Sequence, residues 1–279
     1  MDQDQPIPLQ LNQTSLQDFL DCPRRFELGF LNDTRWPAVH SSPLARHERL
    51  TEIGTQFHQL CQQFFSGIEP NLITSLISDS DLLRLWQSFL PYGQTLLPYP
   101  ITSEKILRIP YGDHFLLAKY DLIVQTSNKE YLIIDWKTSP KKPTRTVLAD
   151  RVQTYLYPFI FQQAGNDLFN TGPILPAMIT MQYWYPLTDV HEEYFPYSES
   201  MHRDSSITIS DLIVQIEDLL SSAKPFPLTD NHAHCKFCLF RSFCERGLEA
   251  NQLSLEADLD SEDLSNFHFD LDLINEIEF

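Results

Sequence analysis

No stretch of this 279-residue chain stays apolar for the ~20 positions that a membrane-crossing helix needs. Its first residues, Met1-Asp2-Gln3-Asp4-Gln5-Pro6, carry neither the positive charge nor the apolar core of a secretory leader. A cytoplasmic protein with no membrane partner is therefore expected, and its five cysteines are not expected to form disulfides. Glycine is scarce, eight residues in all, and none of them builds a phosphate-cradling loop ahead of a Lys-Ser or Lys-Thr pair. Any ATP-driven step would fall to a partner. Positive charge is short as well: 20 Lys and Arg against 38 Asp and Glu, a net charge of −18. That balance excludes broad electrostatic attraction to a polyanion. The deficit is uneven, however. Gly247–Phe279 holds ten acidic residues and no Lys or Arg, which leaves −8 for residues 1–246. A local basic patch remains open, because Lys137, Lys141, Lys142, Arg145 and Arg151 crowd one short stretch.

What is present is enough for a substantial core, in one large or two small domains: 42% of residues are hydrophobic and 12% aromatic. Residues 1–13 read as an irregular lead-in. Ser15 and Asp18 have the spacing of a capping box at a helix start, and Pro23 predicts a break and restart with Cys22 at the junction. A loop with Pro37 and Pro43 covers 32–45. Leu50, Ile53, Phe57, Leu60 and Phe64 then recur at helical spacing over Ala45–Phe65. His58 lies off that stripe, on the face of Cys61 and of Gly54, whose missing side chain would admit a close neighbour. Ser80–Leu90 is a further predicted helix. Three strands follow, Lys105–Ile109, Phe115–Gln125 and Glu130–Lys137, joined by turns at Gly112-Asp113 and Ser127-Asn128-Lys129. Thr146–Gln163 is predicted as one helix despite Pro158. Ile179–Tyr185 and Glu193–Pro196 are predicted strands, and Ser210 is the expected cap of a helix running to Ala223. In the acidic C-terminal stretch, Phe267, Phe269, Leu271 and Leu273 alternate with polar residues. This is the pattern of a short strand, or of a solvated segment that pairs on contact.

Two constellations carry chemistry. The first centres on Tyr131-Leu132-Ile133-Ile134-Asp135-Trp136-Lys137-Thr138, a buried strand ending in charge. Asp135 and Lys137 are two apart and share a face. Burying such a pair is expensive, and an ordinary salt bridge is the simplest account of it. Asp121 on the preceding strand changes the picture, because two carboxylates on neighbouring strands can converge on one hard cation. Gln153 and Tyr157 on the next helix are four apart on one face. The second constellation is Cys235-x2-Cys238-x5-Cys244, which reads as metal-binding and needs a fourth ligand. Cys22 is the leading candidate, with His232, His234 and Cys61 as alternatives. The spacing leaves zinc and an iron–sulfur cluster equally open.

Five short motifs in this order resemble the RecB-like branch of the PD-(D/E)XK nuclease superfamily. They are Gly54-Thr55-Gln56-Phe57-His58; Ala118-Lys119-Tyr120-Asp121; Asp135-Trp136-Lys137-Thr138; Gln153-x3-Tyr157; and Cys22 with Cys235, Cys238 and Cys244. The likeness extends to CRISPR-associated RecB-like exonucleases and to the nuclease domain of AddB-type helicase–nucleases. It implies an α/β fold with a restriction-endonuclease-like core, a central mixed β-sheet flanked by helices, and an iron–sulfur clasp joining the N- and C-terminal segments. The domain would span 14–246, with a helical insertion at about 43–91, followed by an acidic tail at 247–279. The implied activity is metal-dependent DNA hydrolysis, as an exonuclease on single-stranded ends, in repair, recombination or CRISPR adaptation. In this resemblance His58, Asp121, Asp135 and the backbone carbonyl of Trp136 would hold Mg2+ or Mn2+. Lys137 would be the catalytic lysine, and Gln153 and Tyr157 would orient the site or contact DNA. Cys22, Cys235, Cys238 and Cys244 would hold a 4Fe–4S cluster, with Zn2+ as the alternative. DNA is the implied partner, together with a helicase or integrase-type protein. Ala118 departs from the glycine usual in the family. The competing reading is a non-catalytic DNA-end-binding or scaffold subunit.

Overall fold

The computed structural model describes residues 8–34, 42–169, 172–222 and 224–247. The alternating acidic stretch beyond these, and part of the loop expected at 32–45, lie outside the described residues. The frame is a mixed sheet of six strands: β1 (Gln10–Leu11), β2 (Ile101–Tyr111), β3 (His114–Gln125), β4 (Tyr131–Trp136), β5 (Ile179–Trp184) and β6 (Glu192–Pro196). β2, β3 and β4 form an antiparallel meander, β5 lies parallel to β4, and β6 returns antiparallel to β5. β1, drawn from the expected lead-in, pairs parallel to the start of β3. The parallel β4–β5 step needs a crossover, and helices supply it: α6 (Arg145–Asp150), α7 (Val152–Ala164) and the short α8 (Asn166–Phe169). Among the described residues no helix is long and apolar enough to cross a membrane.

The remaining helices cover both faces. Between β1 and β2 come α1 (Gln13–Asp21), α2 (Pro23–Phe26), α3 (Ser42–Phe65), α4 (Pro70–Leu76) and α5 (Ser80–Leu96); α9 (Glu199–Ser221) follows β6. One core is built by α1, α2, α7 and α9 against Tyr120, Ile123, Ile133, Met181 and Tyr183. The other is built by α3, α4 and α5 against Leu122, Val124, Ile134, Trp136 and Trp184. α7 lies between the sheet and α9 and is apolar nearly all round, as a doubly covered helix must be.

Three local expectations are corrected. Asn12, not Ser15, caps α1: its side chain accepts from the Ser15 amide at 2.8 Å, and the Asn12 amide donates to Ser15 Oγ at 2.9 Å. Asp18 instead pairs with Arg25 at 2.8 Å. The helix expected over Thr146–Gln163 is two helices, broken at Arg151, whose backbone is extended. Pro158 is carried inside α7. The helix expected to start at Ser210 starts at Glu199, capped by Ser198 accepting from the Met201 amide. Its first half has too few apolar residues for a visible stripe, with only Ser205 and Ile209 fully buried before Leu212. The break at Pro23 is present, with Cys22 extended between α1 and α2.

Alternation along β2 and β3 reverses at one level. Leu116, Ala118 and Tyr120 face α7, whereas Leu122 and Val124 face α5. Leu107 and Ile109 face α7, but Ile101 packs with the α5 core. The register skips the rung between Ser103–Leu122 and Lys105–Tyr120, where Glu104 lies opposite Asp121. Glu104 adopts φ +50°, a left-handed conformation that strains a residue with a side chain.

Candidate active site

The reversal gathers the acidic groups. His58 Nδ1 lies 3.2 Å from Asp121 Oδ1, and its Nε2 lies 3.1 Å from the carbonyl oxygen of Trp136. The second Asp121 oxygen accepts from the Trp136 amide at 2.9 Å. Trp136 is fixed by its ring, packed edge-on to Phe89, Tyr92 and Trp184 in the α5 core. His58, Asp121 and the Trp136 carbonyl are thus brought together from α3, β3 and the end of β4. A fourth donor escaped sequence reasoning. Glu104 joins His58 and Asp121, and their ligand atoms all lie within 4.8 Å of one another. Glu104 also pairs with Lys119 at 3.1 Å. Glu104 lies just before the predicted strand Lys105–Ile109; the observed strand starts earlier, and the hairpin turned at Gly112-Asp113 sets Glu104 opposite Asp121.

Asp135, Lys137 and Gln153 form the adjoining group. The Lys137 amide continues the β4–β5 pairing by donating to the Trp184 carbonyl at 2.9 Å. Its ammonium lies 2.7 Å from Asp135 Oδ2 and donates to Gln153 Oε1 at 3.0 Å. The Gln153 amide in turn donates to Asp135 Oδ1. Gln153 therefore spaces the carboxylate and the ammonium from the start of α7. The Tyr157 phenol, buried, reaches Gln153, while Tyr120 Oη donates to the Tyr157 carbonyl at 2.9 Å. The Lys137 ammonium also lies 5.4 Å from the centre of the Tyr183 ring. Gly54 performs the service expected of it: a Cβ there would stand 3.0 Å from Thr138 Oγ1, so its absence lets α3 approach the strand exit.

The two carboxylates are shifted in opposite directions. Burial raises both, but His58 alongside and the Trp136 amide keep Asp121 below the usual carboxylate range. For Asp135, burial and the nearby Asp121 charge outweigh Lys137 and push it up. Burial alone would lower His58, yet Asp121 and Asp135 around it raise it to about 9. These are the shifts of a buried negative cluster short of positive charge.

The donor set suits a hard divalent cation: carboxylates, a backbone carbonyl and one imidazole. Asp135 Oδ2 is buried and accepts no aligned hydrogen bond despite the nearby ammonium, so it retains lone pairs for an ion. Such an ion, when bound, supplies charge neutralisation and activation of a water.

The cysteines meet at a second place. Cys22, Cys235, Cys238 and Cys244 line one cavity, together with His234. Of the alternatives for the fourth ligand, Cys61 is buried in the α3–α5 core and His232 contacts Arg246; neither lines the cavity. The chain ends meet here by ordinary contacts too. The Arg24 amide donates to the Pro227 carbonyl at 3.1 Å, and Phe226 stacks on Phe26.

Sheet, crossover and converging carboxylates define a candidate site for a divalent cation on an α/β fold, set where strands β3 and β4 diverge. The sequence model of the PD-(D/E)XK nuclease superfamily matches residues 10–98 and 93–245, and the chain belongs to that superfamily. No curated protein matches the chain in sequence. Solved structures to which the chain shows similarity include SSO0001, at 15% identity and a TM-score of 0.43, covering 84% of this chain and 85% of that one. Another is a protein from Eubacterium rectale described as a candidate exonuclease, at 12% identity and a TM-score of 0.46, covering 74% of this chain and 79% of that one.

Proposed function

We propose that the chain is a metal-dependent deoxyribonuclease of the RecB-like branch, acting as an exonuclease on single-stranded DNA ends. The observation that carries this reading is the convergence of His58, Asp121, Glu104 and the Trp136 carbonyl beside the Asp135–Lys137–Gln153 group. In this reading His58, Asp121, Asp135 and the Trp136 carbonyl hold Mg2+ or Mn2+, with Glu104 as a further ligand. Lys137 positions a water and takes part in its deprotonation. Gln153 and Tyr157 keep the ammonium aimed, because α7 anchors both side chains to the floor of the site. The basic stretch around Lys141 and Arg145 offers the strand positive charge that the rest of the chain withholds. Strand polarity and the preference for single strands rest on the likeness to the family.

The four cysteines are proposed to hold a 4Fe–4S cluster that fastens α1 and α2 to the segment around 226–244. All four line one cavity, and the choice of an iron–sulfur cluster over zinc rests on the likeness to the family. The nuclease unit is taken as 14–246, with 247–279 as an acidic appendage, working in the cytoplasm beside a helicase or integrase-type protein.

The test is direct. The purified chain with Mg2+ or Mn2+ should shorten single-stranded DNA from its ends, and EDTA should stop it. DNA binding without divalent-dependent cleavage would convert the reading to a non-catalytic end-binding subunit.

A further inference from the structure

The register places Asp135 of β4, Tyr183 of β5 and Glu193 of β6 in one row across the sheet. All three belong to the α7 face: Asp135 meets Gln153, and Tyr183 and Phe195, which share the alternation of Glu193, lie in the α7 core. With strands about 5 Å apart, Glu193 stands ~10 Å from Asp135. Its carboxylate accepts from Lys142 Nζ at 3.0 Å and from the Arg145 guanidinium. Lys142 also reaches the Glu192 carbonyl at 3.4 Å, and the Arg145 head lies over the Phe195 ring, 4.5 Å from its centre. Both heads present more N–H donors than these acceptors use. Arg145 is more than half exposed at 57%, so its donors are open to a ligand. The trio is net positive by one charge in a strongly acidic chain, with Lys142 and Glu193 partly buried and Arg145 exposed.

We propose that Lys142 and Arg145 form a phosphate seat for the substrate strand, displaced ~10 Å along the sheet from the phosphodiester at Asp135, with Glu193 holding the two heads in place. This inference rests on the nuclease reading. Glu193 acts as a tether and a stand-in anion, and one phosphate matches the single net charge of the trio. The phosphate belongs to the strand interior or to its terminus; the chemistry of recognition is the same for both.

The full chain carrying Lys137→Ala is titrated with a fluorescent single-stranded DNA over a range of salt concentrations. Adding Lys142→Gln with Arg145→Gln is expected to weaken binding roughly tenfold at low salt, and to flatten the slope of log affinity against log salt by about 0.7, one contact on a single strand. Glu193→Gln keeps both cations and is expected to tighten binding. These opposite signs separate a phosphate seat from a structural ion pair, whose loss from either side acts in one direction. Comparing strands with and without a terminal phosphate assigns the source: a greater loss for the phosphorylated strand marks a terminal phosphate, an equal loss an internal one, and both support the seat. An unchanged slope, or shifts of the same sign in both variants, overturns it. Wild-type cleavage in Mg2+ alongside an unchanged slope rejects the seat alone. Absence of both binding and cleavage rejects the seat together with the nuclease reading.

Discussion

The carboxylate site and the cysteine cavity are built in contrasting ways. Every donor of the first sits on a packed strand or helix and is held by a partner: His58 by Asp121 and Trp136, Asp135 by Gln153, Lys137 by both. The second is assembled from an inter-helix junction and a stretch of turns, more than two hundred residues apart in the chain. Cys235 and Cys244 are only partly buried there. The hard-donor set is therefore preorganised by the fold, whereas the proposed soft-donor site would depend on the group that fills it. Preorganised sites spend stability on function; filled sites return stability to the fold.

The largest effect should come from the first site. Lys137→Ala is expected to lower divalent-dependent cleavage by about 10²–10⁴-fold while single-stranded DNA binding persists, read by gel and by anisotropy. If cleavage survives, the ammonium is a structural ion-pair member and the contrast loses one side. Next, Cys22→Ser should lower the melting temperature by roughly 10 °C, because in the proposed cluster Cys22 is the ligand that closes the very long loop. Asp135→Asn should leave melting nearly unchanged, since the relief from burial and from the Asp121 charge, which together push the Asp135 carboxyl up, offsets the lost pair with Lys137. Calorimetry showing the reverse order would break the contrast. Glu104→Gln is expected to raise the Mg2+ concentration needed for half-maximal cleavage by about tenfold with little change in melting. Smallest of all, Gly54→Ala should slow cleavage only a few-fold, because Thr138 Oγ1 can rotate away from the new methyl. Gly54→Val should cost more, and equal rates for both would show that the close approach of α3 does not matter.

Much of this arrangement was legible in the sequence, and the reasons differ by element. Asp135 and Lys137 were readable because a strand alternates strictly and the apolar run before them is long. Cys22 was readable because Pro23 forces a junction there. Glu104 was not, because its role arises from a reversal that local alternation cannot announce. The front half of α9 was hidden because its inner face uses Ser205 where a stripe needs an aliphatic residue. The break between α6 and α7 was hidden because Arg151 is as good a helix former as its neighbours; the turn there is set by tertiary contacts, among them the Val152 amide donating to Gln17 of α1 at 3.2 Å.

The reversal at Glu104 and Asp121 has a wider consequence. Two strands that change sides on the same rung can be zipped together in one way only. A slip by a single residue would set the kink of one strand against the straight backbone of the other and send two sets of apolar side chains to water. The hairpin thus carries an index mark, and the mark is the Glu104–Asp121 pair of the candidate cation site. Correct alignment of β2 with β3 sets these two acidic residues opposite each other, leaving only His58 and the end of β4 to be brought in.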